Sequence, residues 1–157
     1  MVRSYCSNTI PVLEIENLTV TYETRKAELV AVRGVSFKVH KSQTVGLVGE
    51  SGCGKSTMAF AVVGFLGPNG KIVEGSVRFE GRELIGRSES ELRQLRGDRI
   101  AIVYQEPMQA LNPSLTLGEQ LAEVLMYHQK ISRAEAWERS IEMLKRVYMA
   151  DPEAIMR

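Results

Sequence analysis

Apolar and polar residues alternate over residues 12–22 (VLEIENLTVTY), the period of a strand with one buried face. The polar stretch 23–28 predicts a turn, and residues 32–39 predict a second alternating strand with Val35, Phe37 and Val39 on one face. A short turn is expected over 40–43. Residues 44–48 break the alternation: they are nearly continuously apolar, the pattern of a strand buried on both faces of a parallel sheet, and they run straight into a glycine-rich loop. Residues 56–66 predict a helix, broken by Gly67-Pro68-Asn69-Gly70. Residues 72–79 predict a strand and 80–83 a turn, a second hairpin-like element. Ser88-x-x-Glu91 is a capping-box pattern opening a short helix through Leu92 and Leu95. A second buried-type strand is expected over 100–104, ending at Gln105-Glu106-Pro107. The rest reads as helix. Thr116-x-x-Glu119 opens a segment with Leu117, Leu121, Val124, Leu125 and His128 near one face, and Ser132-x-x-Glu135 opens another with Ala134, Trp137, Ile141 and Leu144.

Composition narrows this picture without redirecting it. The 157 residues suit one domain with its own core. Twenty basic and nineteen acidic side chains leave a formal charge of +1, which offers no broad field for nucleic acid. Two cysteines, Cys6 and Cys53, fit a reducing compartment and form no metal-ligand cluster. No apolar run is long enough to span a bilayer, and the first residues lack the apolar segment of a secretory signal, so any membrane association is expected to be peripheral. His40 is expected in a surface turn, His128 at a helix boundary, and Trp137 as a core or interface anchor.

The chemistry concentrates in GLVGESGCGKST, residues 46–57. Gly49-x-x-x-x-Gly54-Lys55-Ser56 satisfies the phosphate-loop pattern within the strand–loop–helix setting that pattern requires. Small residues let successive backbone N–H groups turn toward phosphates, and the following helix adds its positive end. Lys55 is placed to bridge the β- and γ-phosphates, and the Ser56 hydroxyl to ligate Mg²⁺. A glycine-rich turn without a ligand is the plain alternative. No polar base-reading loop of a guanine-specific enzyme is evident. Tyr22, at a strand end, is either a sheet-surface aromatic or a face on which a base stacks. Cys53 invites a nucleophile reading, yet a bound triphosphate would oppose its thiolate, and a small loop residue is the simpler account.

Gly49–Thr57 followed by VYQEPMQALNP resembles the nucleotide-binding domain of an ATP-binding cassette (ABC) transporter. YQEPMQALNPSLTLGEQLAE narrows the resemblance to ATPase subunits of dipeptide and oligopeptide importers, a branch that includes nickel importers. It runs from about Leu13 to Pro152. The resemblance implies an α/β fold: a RecA-like P-loop NTPase core with an N-terminal antiparallel β subdomain and the start of a helical subdomain. The β subdomain and core would occupy 12–104, and the helical part 105–157. Tyr22 would stack on adenine, and Gly49, Ser51, Gly52, Cys53, Gly54, Lys55, Ser56 and Thr57 would hold the phosphates of ATP. Gln105 would reach Mg²⁺ beside Ser56 and position the attacking water, so that Gln105 and Lys55 are the catalytic candidates. A plain strand terminus is the alternative for Gln105. Implied partners are transmembrane permease subunits, a second nucleotide-binding domain and, indirectly, a solute-binding protein, on the cytoplasmic face of the membrane and with no nucleic acid.

The same family pattern continues with a Leu-Ser-Gly-Gly-type signature, an apolar strand ending in Asp-Glu and a switch histidine, and these 157 residues contain none of them. The expectation is therefore an incomplete domain, through truncation, a frame break or an imposed boundary, that binds nucleotide without turning it over. Two other classes compete. A standalone P-loop kinase or GTPase-like enzyme could use Arg93, Arg96 and Arg99 as a lid, although a solvated helix face explains them equally. A non-enzymatic remnant that binds a partner is the other.

Overall fold

The computed structural model describes residues 10–157; residues 1–9, with Cys6, and the side chains of Pro107 and Gln109 lie outside the described residues. The chain divides into two compact units, one ending at Leu92 and one spanning Arg93–Arg157.

In the first unit, β1 (Leu13–Glu23), β2 (Glu28–Val39), β3 (Gly70–Phe79) and β4 (Arg82–Glu83) form an antiparallel sheet in the order β2-β1-β3-β4. The apolar positions of residues 12–22 reach the core at Ile15, Leu18 and Val20, brought to one face across the register shifts of β1, and Val77 of β3 joins them, all fully enclosed. Helix α1 (Lys55–Val62) lies against β1 and β2 and adds Met58 and Ala61 to this core. Full burial of such aliphatic side chains stabilises by roughly 1.5–3 kcal/mol each, so this core anchors the unit. The β3–β4 turn is made by Glu80 and Gly81, both at positive φ (49° and 78°), as two-residue hairpins favour. The opposite sheet surface carries charge, with Arg78 Nη1 2.9 Å from Glu16 and Lys38 paired to Glu14.

Three expectations change here. The helix foreseen over 56–66 stops at Val62, because Val63 caps it and Gly64 (φ 66°) turns the chain before Gly67 is reached. His40 is half-buried rather than on the surface, and its Nδ1 is enclosed with no hydrogen-bond partner among the described residues. The stretches 44–48 and 100–104 are not strands. Ile100 makes an isolated bridge with Arg96, and Val48 and Val103 are 99% and 94% exposed. An apolar run becomes a parallel strand only when a neighbouring strand takes up its backbone groups, and these stretches are not part of the described sheet.

Helix α2 (Glu89–Leu95) carries the chain into the second unit; Glu91 N–H donates to the Ser88 hydroxyl and Ser88 N–H to Glu91, closing the expected capping box. The second unit holds α3 (Leu117–Gln129), α4 (Arg133–Arg146) and α5 (Pro152–Ile155), with α3 opened by the full Thr116–Glu119 capping box and α4 by Ser132. The buried positions of α3 and α4 are small: Gly118 and Ala122, Ala136 and Ser140. The large residues foreseen as the α3 face instead stay partly open: Leu117, Leu121 and Val124 are 37–50% exposed, and Leu121 and Val124 line a groove with Met143, Leu144 and Val147. The Trp137 ring covers Gly118, whose N–H donates to the Met156 carbonyl at 3.2 Å.

Candidate functional site

The glycine loop is built from backbone geometry. Residues 43–50 are exposed and outside any helix or strand, and a turn closes with the Cys53 N–H donating to the Glu50 carbonyl at 3.3 Å. Gly52 (φ 81°) and Gly54 (φ 92°) then occupy the left-handed region, which curls the chain into α1 at Lys55. Gly54 is the N-cap of α1 and provides no side-chain acceptor. The first bond of the helix runs from the Met58 N–H to the Gly54 carbonyl at 2.9 Å, so the amides of Lys55, Ser56 and Thr57 have no acceptor among the described residues.

Lys55 folds back across the loop. Its Nζ donates to the carbonyls of Gly49 (2.8 Å) and Glu50 (2.6 Å), with Cys53 Sγ at 3.5 Å. An ammonium has three donors, so the carbonyl contacts hold it at the loop mouth and leave it charge to offer. Cys53 is an exposed thiol packed under Gly49, where a methyl group would fall 2.6 Å from its sulfur. Ser51 and Ser56 are exposed and Thr57 is half-buried, with no side-chain hydrogen bond among the described residues.

Open amides at a helix N-terminus, a fixed ammonium and an unengaged hydroxyl form a donor set suited to a chain of phosphates. Among the described residues no cluster of histidine, cysteine and carboxylate side chains is arranged to hold a metal ion. A cation here would draw on the Ser56 hydroxyl and phosphate oxygens, the mixed shell that Mg²⁺ accepts.

Tyr22 lies in the same unit, late in β1, paired with Leu29 on β2 and Gly70 on β3. Its half-buried ring leans over Gly70, where a methyl group would fall 2.9 Å from Cε1. Gln105 belongs to the second unit, exposed in a bend just before a 3-10 turn over Pro107–Ala110. The loop residues and Lys55 thus come together in one structure, Tyr22 stands on the sheet of the same unit, and Gln105 is carried by a different unit. The sequence offered no signal for the Gly49 and Glu50 carbonyls as the seat of Lys55, because backbone acceptors leave no mark on residue type.

The family model of the ABC transporter matches residues 32–156, from the middle of β2 to the end of α5. The chain belongs to the ABC transporter family. Within it the curated proteins this chain resembles include ATP-binding proteins of oligopeptide and dipeptide transport. The chain is 46% identical over 145 residues to the oligopeptide transport ATP-binding protein OppD of Escherichia coli K12, covering 92% of this chain and 42% of that protein. It is 42% identical over 142 residues to the dipeptide transport ATP-binding protein DppD of Bacillus subtilis 168, covering 90% and 42%. The chain therefore spans less than half the length of these relatives. A dimeric bacterial ABC transporter cassette matches with a TM-score of 0.73 at 27% identity, over 88% of this chain and 58% of that one. A post-hydrolysis cassette dimer bound to ADP and Pi matches with a TM-score of 0.74. The fold is a RecA-like P-loop core with its N-terminal antiparallel sheet and helical subdomain, present in part. Nucleotide-binding domains of this family use ATP with Mg²⁺.

Proposed function

We propose that this chain is the nucleotide-binding part of an ATPase subunit of an importer for dipeptides or oligopeptides, which couples ATP binding and hydrolysis to transport. The observation that carries the reading is the loop itself: Lys55 drawn onto the Gly49 and Glu50 carbonyls beside the open amides of α1. Peptides rather than nickel are favoured as cargo because the similar curated proteins are named for oligopeptide and dipeptide transport.

In this reading Tyr22 stacks on adenine, while Gly49, Ser51, Gly52, Cys53, Gly54, Lys55, Ser56 and Thr57 surround the phosphates. Ser56 and Gln105 are the residues that would hold Mg²⁺, which when bound would neutralise charge on the phosphate oxygens. Lys55 adds a fixed cation to the same oxygens, and Gln105 orients the attacking water. Residues 12–104 serve as β subdomain and core, and 105–157 as the start of the helical subdomain. The partners are permease subunits, a second nucleotide-binding domain and, indirectly, a solute-binding protein, with the assembly on the cytoplasmic face of the membrane. No helix among the described residues is long and apolar enough to cross a membrane.

Titration calorimetry with Mg–ATP tests the reading. Lys55→Ala is expected to weaken binding about tenfold or more, since a charge-assisted contact to phosphate is lost while the loop amides remain. Equal affinity of folded wild type and variant would overturn the assignment.

A further inference from the structure

Edge strand β2 does not pair evenly with β1. Val20 pairs with Val32 and Thr21 with Val30, which leaves Ala31 as the extra residue of a β-bulge. Tyr22 comes next, paired with Leu29. From the bulge, the Ala31 carbonyl oxygen faces Gly54 so closely that a methyl group on Gly54 would collide with it and fall 3.2 Å from Val32 Cγ2. Gly54 is the left-handed N-cap that delivers Lys55 and the open amides of α1. One irregular residue thus touches the pivot of the phosphate loop and stands beside the strand pair that carries Tyr22. The arrangement has a local cost, because the Thr21 hydroxyl next to the bulge is buried without a partner among the described residues.

A nucleotide is a ligand with two ends, base and phosphates, joined by a sugar of fixed length. When both receiving surfaces are correctly spaced, the second end binds at high effective concentration; when the spacing is wrong, that gain disappears. Bulges at sheet edges re-aim the backbone, and here the redirected group is a carbonyl seated against the loop. We propose that Ala31 is a positioning residue of the nucleotide site: its bulge sets the spacing between the Tyr22 platform and the loop at Gly54, so that a nucleotide is held by both ends at once. This rests on the reading of Tyr22 and the loop as an ATP site.

The test compares Mg–ATP with Mg–tripolyphosphate, a ligand that has phosphates and no base, by titration calorimetry on the whole chain. Wild type is expected to prefer ATP by about tenfold, the scale of one aromatic–base stack. Deletion of Ala31 should lower ATP affinity more than tripolyphosphate affinity, so that the preference for ATP is lost. A residue with only a structural role would weaken both ligands together; that outcome, or a preserved preference, overturns the proposal. If circular dichroism shows that the deletion variant does not fold, Ala31→Gly decides, because it keeps the register and frees the backbone. The preference should then fall about threefold with tripolyphosphate binding intact, and an unchanged preference overturns the proposal. A wild-type chain that binds tripolyphosphate without preferring ATP overturns the Tyr22 reading instead, and a wild type that binds neither overturns the phosphate-loop reading.

Discussion

Lys55 and Tyr22 depend on backbone to different degrees. The ammonium of Lys55 is held by two main-chain carbonyls, so its place follows from how the loop closes at Gly52 and Gly54. The Tyr22 ring rests on a glycine of the neighbouring strand, which allows it to lean across β3. An aromatic so placed can offer a face to a base at little entropic expense, since two side-chain torsions suffice to fix it. Tyr22→Ala is expected to weaken ATP binding by roughly 1–3 kcal/mol in calorimetry while leaving tripolyphosphate binding unchanged. An unaltered ATP affinity would return Tyr22 to the role of a sheet-surface aromatic.

Among the elements, the helix caps follow sequence most directly. Ser88, Thr116 and Ser132 each accept a hydrogen bond from the backbone N–H three residues later, because a cap needs nothing beyond its own turn. Glu91 shows the electrostatic side of such a cap. The Ser88 hydroxyl, then the Ser88 N–H and Arg87, hold its carboxyl down from the ordinary 4.5 to about 2. A lowered carboxylate pKa means that the contribution to α2 is complete above about 4.5 and is lost as pH falls toward about 2. Amide exchange in Glu89–Leu95 should accordingly accelerate between these values relative to the α1 amides, as read by hydrogen–deuterium exchange. A Glu91→Gln variant should show little of this pH dependence; the same acceleration in both proteins would refute the link. Residues 44–48 and 100–104 behave in the opposite way, since a parallel strand exists only through its neighbours.

At the scale of the whole molecule, binding and turnover separate. The loop concentrates cationic and amide donors, a set suited to phosphate, whereas hydrolysis also requires a positioned water and charge stabilisation around the transferring phosphoryl group. These 157 residues contain no apolar strand ending in Asp-Glu and no Leu-Ser-Gly-Gly segment. Purified residues 1–157 are expected to release no phosphate from ATP above a Lys55→Ala control, measured under conditions where ATP binding is detected. Lys55-dependent phosphate release that persists through further purification would show that a catalytic group within the chain has been missed, and would favour a self-sufficient P-loop enzyme.

What sequence determined here is local: the alternation over Leu18 and Val20 that buries both, the caps at Ser88 and Thr116, and the Gly49-to-Ser56 spacing that places Lys55 at a helix start. Each depends on a repeat or a turn a few residues long. Tertiary structure alone decided that Gly118, Ala122, Ala136 and Ser140 would be buried on α3 and α4 while Leu121 and Val124 stayed partly open. It also decided that the carbonyls of Gly49 and Glu50 would seat Lys55, and that the Ala31 bulge would press on Gly54. Such contacts turn on how closely two backbones approach and which main-chain groups then face each other, and neither is written in the type of any single residue.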